Sequence, residues 1–285
     1  MHPRHTTSEQ NLREDIEKAI RDGTIILAEG HDPFGAVDDD SYFPKKGSNR
    51  EFPVLVETAC GRITEIAAMI EECLRKLIGK ELSWLELGPG AGFLLADLRN
   101  RHRVNRVDSA SMTALAPHFI PHTFYGIRRG PPRDGPMVPF PQGFNPPHFE
   151  HTKEPYVHTQ YIGPLSAATP LSSERIYHVI HDCVGPLNYI VAEERTQVIE
   201  LLLRALNPKG ALAVNGRHNR DIGERILTVD GSMHVVADND WMIACGPECP
   251  LSKELLKGVR DAGELIMRLK NVYREIMGYD YYHRA

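Results

Sequence analysis

Ser83-Trp84-Leu85-Glu86-Leu87-Gly88-Pro89-Gly90-Ala91-Gly92 runs from an apolar segment through an acid into three alternating glycines. An apolar pattern of helical spacing starts at Phe93 and continues through Leu94 and Leu98. The stretch therefore reads as a strand, a tight turn and a helix N-terminus. Glycines lack Cβ, so main-chain N–H groups can approach a ligand closely, and the first helical turn adds a partial positive charge. The result is a ligand cradle, and the ligand that fits it decides the function. A dinucleotide cradle wants glycine at its first, third and sixth positions, which here are Gly88, Gly90 and Phe93. The Phe93 side chain is too bulky for the close helix–strand packing that the last glycine permits.

Outward from this turn, strand and helix patterns alternate. Upstream, Thr58 to Ile78 reads as a helix with Ile63, Ile66, Ala67, Ile70, Leu74, Leu77 and Ile78 on one face. Ser8 to Arg21 is a shorter amphipathic helix, and the acidic run Asp38–Asp40 lies in a loop. Downstream, Val104 to Asp108 reads as a second strand. Twelve of the 21 prolines then fall between Pro117 and Pro170. Such density excludes a central strand or a long helix from most of that stretch, which reads as an insertion draped over one end of the core. Tyr156 to Ile162, Arg175 to His181 and Ala211 to Asn215 read as strands, and Glu193 to Leu206 as a helix. Asn207-Pro208-Lys209-Gly210 is a turn signal. Ile226 to Val229 and Met233 to Val236, flanking Asp230-Gly231, read as a hairpin, followed by a strand at Trp241 to Cys245. Leu251 to Met277 reads as one long helix with a seam of Leu255, Val259, Ala262, Ile266, Leu269, Tyr273 and Ile276.

Alternating strands and helices imply an α/β fold: a doubly wound, mostly parallel seven-stranded Rossmann-like sheet with a terminal antiparallel hairpin. Three regions are expected. Residues 1–80 form an N-terminal helical cap segment. Residues 81–245 form the core, with the Pro-rich insertion at about 117–170. Residues 246–285 form a C-terminal helix for packing or dimerisation. In such sheets ligands bind at the carboxyl ends of the strands. Glu86, the Gly88–Gly92 turn, Asp108 and Asp182 all fall at predicted strand ends and share one rim.

The 285 residues are 41% hydrophobic and 25% charged, ordinary values for a globular chain. A net charge of −5 argues against a sequence-independent nucleic-acid surface. No apolar run reaches the roughly 18–20 residues a membrane helix needs. Met1-His2-Pro3-Arg4-His5 is polar and leads into a charged helix, unlike a secretory signal, and the five cysteines are unpatterned. A reduced, cytoplasmic protein is the expectation.

The acid-x-Gly-x-Gly-x-Gly pattern from Glu86 to Gly92 resembles motif I of the class I S-adenosylmethionine-dependent methyltransferases, transferases of Rossmann-like fold. The resemblance extends over about residues 81–237, with the insertion set aside. It implies S-adenosylmethionine as cofactor, with Gly88, Gly90 and Gly92 making room for its methionine and ribose part. Glu86 then acts on the cationic groups through the turn or a water. Asp108 matches the family's acid that holds the ribose hydroxyls, Ser109 belongs to the following turn, and Met112 lies near the adenine. Ile176-Tyr177-His178-Val179-Ile180-His181-Asp182 matches the strand that ends near the reacting centre. Leu206 to Leu212 resembles the turn before the fifth strand. The region after the third strand, Tyr161-Ile162-Gly163-Pro164, lacks the family's usual acid. Asn145-Pro146-Pro147-His148 imitates an amino-group methyltransferase signature, but prolines at 136, 139 and 141 bar a central strand from leading into it.

The implied activity is in-line transfer of a methyl group to a small-molecule acceptor enclosed by the insertion and the N-terminal segment. His181 is the candidate base and Asp182 its neighbour at the reacting centre. His178 and His181 point to opposite faces of a regular strand and cannot share a metal. Asp182, Asn215 and His218 have oxygen-rich chemistry that suits magnesium, but their spacing favours ordinary polar rim residues, and no metal site is expected. Cys245-Gly246-Pro247-Glu248-Cys249 lacks the second cysteine pair of a zinc site. Other readings of the fold are an aminopropyltransferase-like enzyme and a non-catalytic scaffold. The C-terminal seam raises a homodimer.

Overall fold

The computed structural model of the chain describes residues 14, 16–31, 61–79, 82–88, 98, 104–111, 157–168, 171, 176–183, 185–239, 241–255, 259 and 262–278. Eight strands form one sheet: β1 (Ile25–Leu27), β2 (Ser83–Leu87), β3 (Arg106–Ser111), β4 (Thr159–Ile162), β5 (Tyr177–Cys183), β6 (Leu206–Asn215), β7 (His234–Ala237) and β8 (Trp241–Cys245). Their order is β1-β4-β3-β2-β5-β6-β8-β7. The pairs from β1 to β6 are parallel, whereas β8 is antiparallel to both β6 and β7. The sheet thus has one strand more than expected. The addition is β1, a three-residue apolar run whose Ile25 packs with Ile16 and Ile162.

Helices cover both faces. α1 (Gly61–Leu74) turns Ile66, Ile70, Cys73 and Leu74 inward at helical spacing, continues as a π-helical turn over Arg75–Gly79, and stops at Gly79, whose φ of 81° reverses the chain. It packs against Trp84, Val107, Val179, Ala211 and Ala213 of the sheet. α2 (Ala192–Ala205) and α3 (Asn219–Val229) cover the other face, against Leu85, Ile180, Leu212 and Met242. Strands buried on both faces need continuous apolar sequence, and Trp241-Met242-Ile243-Ala244-Cys245 is buried throughout.

The structure corrects four expectations about elements. Ile226–Val229 closes α3 and is not a strand, because Ile222 and Ile226 are spaced for a helix and both are buried. The hairpin is β7–β8, one turn later, where Asp238 Oδ1 accepts from Trp241 N at 2.9 Å. Residues 207–210 form a bulge inside β6: Tyr177 pairs with Leu206 and Val179 with Ala211, so one residue of β5 faces four of β6. The C-terminal stretch forms two helices, α4 (Pro250–Leu255) and α5 (Ala262–Met277). Leu269, Val272 and Tyr273 of α5 join the core beside α1, and Tyr273 donates a hydrogen bond to Glu72 Oε2. Of the seam read as a possible dimer contact, Leu269 and Tyr273 are thus buried in the chain's own core, with Val259, Ile266 and Ile276 partly buried against it. Finally, β3 extends three residues beyond the expected end at Asp108.

Candidate functional site

The strand order reverses direction at β2: β3 and β4 lie on one side, β5 and β6 on the other. The crevice at the carboxyl ends of β2 and β5 is therefore the topological switch point, where sheets of this kind take ligands. Gly88 stands there with φ 64°, and its N–H donates to Ala110 O at 2.8 Å. A Cβ on Gly88 would lie 2.5 Å from Pro186 Cδ, and one on Gly185 would lie 2.6 Å from Leu87 O. The turns leaving β2 and β5 are thus in direct contact, and neither tolerates a side chain. Gly90, Gly92 and Met112 lie outside the described residues, as do the Asn145–His148 stretch and residues 117–156 of the insertion.

One row below this rim, four polar side chains cross the sheet on the α1 face. Cross-strand pairing sets Gln160 beside Ser109, Ser109 beside Glu86, and Glu86 beside His181. All four are buried. His181 Nδ1 lies 3.0 and 2.9 Å from the two Glu86 oxygens. A carboxylate only accepts, so Nδ1 carries the proton and donates. Trp84 Nε1 donates to Glu86 Oε2 at 2.9 Å, and its ring meets His181 edge-on with centroids 5.8 Å apart. Burial alone pulls the His181 pKa down, but the charge and hydrogen bond of Glu86, helped by Asp182, outweigh it and hold the imidazole above its usual value. Glu86 therefore favours the protonated form of His181. Its Nε2 and the Ser109 hydroxyl are buried without a hydrogen-bond partner. Buried polar atoms of this kind are normally satisfied by a ligand or an ordered water.

Asp182 follows His181 in sequence but turns to the opposite face. The structure does not join the two into one catalytic pair. Asp182 accepts from Gly185 N at 2.7 Å, Leu187 N at 2.9 Å and Asn188 Nδ2 at 3.3 Å. Its burial, opposed by the main-chain N–H groups of Leu187 and Gly185 and by His181, pushes its pKa up to about 7. The Asn188 amide also donates to Asn215 O at 3.3 Å and accepts from Arg217 N at 2.7 Å. A Cβ on Gly216 would land 1.6 Å from Asn188 Oδ1. This clasp ties the ends of β5 and β6 together. His218 is exposed at the start of α3 and makes no side-chain cap there. Among the described residues no three His, Cys, Asp or Glu side chains form a group suited to a metal ion.

Asp108 lies inside β3, on the α2–α3 face. Its carboxylate accepts from Tyr177 Oη at 2.6 Å, Arg106 Nε at 2.6 Å and Thr159 N at 3.0 Å. Burial and the Asp108 charge push the Tyr177 phenol above its usual range. The expectation that Asp108 stands on the rim fails because its strand continues to Ser111. Trp84, Gln160, Gly185 and Asn188 were not singled out in the sequence. Trp84 and Glu86 are two apart on one strand, and that alternation was the available signal.

No family model matches the chain, and no curated protein matches it. Among solved structures, it is similar to the N-methyltransferase NodS from Bradyrhizobium japonicum in complex with S-adenosylhomocysteine. That structure is 15% identical, with 67% of this chain and 88% of that chain covered and a TM-score of 0.37. The 1,6-didemethyltoxoflavin-N1-methyltransferase from Burkholderia thailandensis, with bound 1,6-didemethyltoxoflavin and S-adenosylhomocysteine, is 12% identical, covering 86% of this chain and 89% of that chain at a TM-score of 0.37. A TehB-like SAM-dependent methyltransferase from Corynebacterium glutamicum is 13% identical, covering 64% and 92% at 0.37. Identities and scores this low carry no residue role across to this chain.

Proposed function

We propose that this chain is a class I S-adenosylmethionine-dependent methyltransferase acting on a small-molecule acceptor. The observation that carries this reading is the acid-x-Gly turn from Glu86 to Gly88, set at the switch point of a sheet whose far edge ends in an antiparallel pair. The residues fit such a cofactor. The turn is confined to glycine by its φ and its neighbours, and two unpartnered buried polar atoms, on Ser109 and His181, flank Glu86 one row below. When bound, S-adenosylmethionine supplies a sulfonium methyl group for in-line displacement.

The chain's own residues then align and enclose. Gly88, Gly90 and Gly92 let main-chain N–H groups approach the cofactor. Glu86 acts through the turn, its carboxylate fixed by Trp84 and charge-balanced by His181. The Asp108 oxygens are already engaged, so the ribose diol would fall beyond Asp108, toward the carboxyl end of β3. The Asp182–Asn188–Asn215 clasp holds the shape of the rim on the acceptor side. The insertion at about 117–170 would cover the acceptor and exclude water together with N-terminal residues outside β1 and α1, which favours alignment over added chemistry. β1 and α1 belong with residues 81–245 to the catalytic core, and α5 packs beside α1.

Ultraviolet crosslinking with methyl-tritiated S-adenosylmethionine tests this. Label on the folded chain should be competed away by S-adenosylhomocysteine and lost in Gly90→Val. Equal labelling of that variant, or no competition, would remove the assignment.

A further inference from the structure

The rim beyond β5 and β6 carries side chains that the site above does not use. Tyr189 is 69% exposed and Val191 56%, so two large apolar side chains face solvent within three residues of each other. Their segment is held tightly, since Tyr189 N and Ile190 N both donate to Pro186 O, at 2.9 and 3.1 Å. Pro186 in turn sits where a Cβ of Gly88 would stand. The neighbouring loop, past the carboxyl end of β6, presents Arg217 and Arg220, both exposed. It is fixed to the same place: Asn188 Oδ1 accepts from Arg217 N at 2.7 Å and leaves no room for a side chain at Gly216. Tyr189 and Arg217 therefore flank a single residue, Asn188. β6 lies two strands from β2, which places the Arg217 main chain about 10 Å across the sheet from the glycine turn.

Two other arginines nearby are already engaged. Arg195 Nη1 donates to Asp221 Oδ2, and Arg225 Nε donates to both Asp221 oxygens, at 2.9 and 3.0 Å. Among the described residues no carboxylate pairs with Arg217 or Arg220. The whole chain has a net charge of −5, so these two uncompensated cations at the ligand end of the sheet run against its overall balance. A guanidinium offers a planar fork of donors that matches a carboxylate. The exposed ring of Tyr189, with Val191, offers an apolar surface on which a planar molecule can lie.

We infer that Tyr189, Val191, Arg217 and Arg220 form the acceptor subsite, and that the acceptor is a small aromatic carboxylic acid. Its ring lies against Tyr189 and Val191, and its carboxylate pairs with Arg217 or Arg220. All four side chains are exposed, so the acid reaches them without opening the core. The inference rests on the methyltransferase reading, which assigns this side of the rim to the acceptor.

The test is equilibrium dialysis of the full-length folded protein, with S-adenosylhomocysteine present, against a set of hydroxy- and aminobenzoates and the matching benzamides. The acids should bind at least about tenfold more tightly than their neutral amides. Added sodium chloride should weaken the acids and leave the amides unchanged. In an Arg217→Gln/Arg220→Gln variant the preference for acids should disappear, whereas Tyr189→Ala should weaken acids and amides alike. Retained S-adenosylhomocysteine binding shows that each variant is folded, and the salt dependence of the wild-type chain decides the matter if one is not. Equal affinity for acids and amides would overturn the inference. So would an acid preference that survives loss of both arginines, or no binding of any probe by a chain that binds S-adenosylhomocysteine. A wild-type chain that binds no S-adenosylhomocysteine would remove the cofactor reading, and this inference with it.

Discussion

At the scale of single residues, the Glu86–His181 pair governs how the site behaves. A buried carboxylate is costly unless it is paired and hydrogen-bonded, and Glu86 is held by both His181 and Trp84. Removing one partner strands the other charge, so Glu86→Gln should destabilise the fold by about 3–5 kcal/mol in urea unfolding. A Glu86→Gln/His181→Gln double mutant should be less damaged than the two single effects summed. His181 has its folded pKa raised above the unfolded value of 6.5. Its stabilisation is therefore complete below pH 6.5 and disappears as pH rises through the folded pKa. Asp182 follows the same sign for a different reason. Burial raises its folded pKa from 3.8 to about 7. Its contribution is full below pH 3.8 and declines until pH passes about 7, a change on the order of a few kcal/mol. Asp182→Asn should flatten that decline in unfolding curves between pH 4 and 7, and an unchanged slope would assign the pH dependence to other groups. The Glu86 position was legible in the sequence as the acid before a glycine turn. The His181 partner was not, because pairing across strands depends on a register that one chain's sequence does not display.

At the scale of elements, two close approaches hold the rim. Gly88 combines a φ of 64° with a Pro186 atom where its Cβ would be. Gly88→Ala should cost about 1–3 kcal/mol from backbone strain alone, with the Pro186 contact added. It should weaken ligand binding more than a Gly231→Ala control, whose Cβ would find only Leu227 O at 3.7 Å. On the other side of the sheet, Tyr273 ties α5 to Glu72 of α1. Tyr273→Phe should lower stability by about 1 kcal/mol without altering ligand affinity. Elements with a single strong signal were readable in advance. Trp241–Cys245 and Ala192–Ala205 emerge within a residue or so of their expected limits. The Asp230-Gly231 pair misled because Asp230 terminates α3, accepting from Ser232 N at 2.9 Å, and does not join two strands. The long C-terminal seam was correctly apolar, but periodicity alone does not say whether a core or a second copy fills it.

At the scale of the whole molecule, the reading depends on how β2 sits in the sheet. The parallel order around β2 and β5 puts a glycine turn at the switch point, and the antiparallel pair β8–β7 closes the far edge. The glycine turn made the α/β class and the central strand legible. The place of Asp108 was not, since a three-residue difference in strand length moves a side chain from the rim into the sheet. Likewise β1 is too short to carry a pattern, and it is fixed by packing on β4. Among the described residues no helix is long and apolar enough to cross a membrane. The most direct test of the central claim is calorimetric titration of the full-length folded chain with S-adenosylhomocysteine, with NAD as the comparison ligand. The predicted result is one S-adenosylhomocysteine site per chain, weakened at least about tenfold in Gly88→Ala, and no NAD binding. Saturable NAD binding, or no S-adenosylhomocysteine binding by a chain shown to be folded, would contradict it.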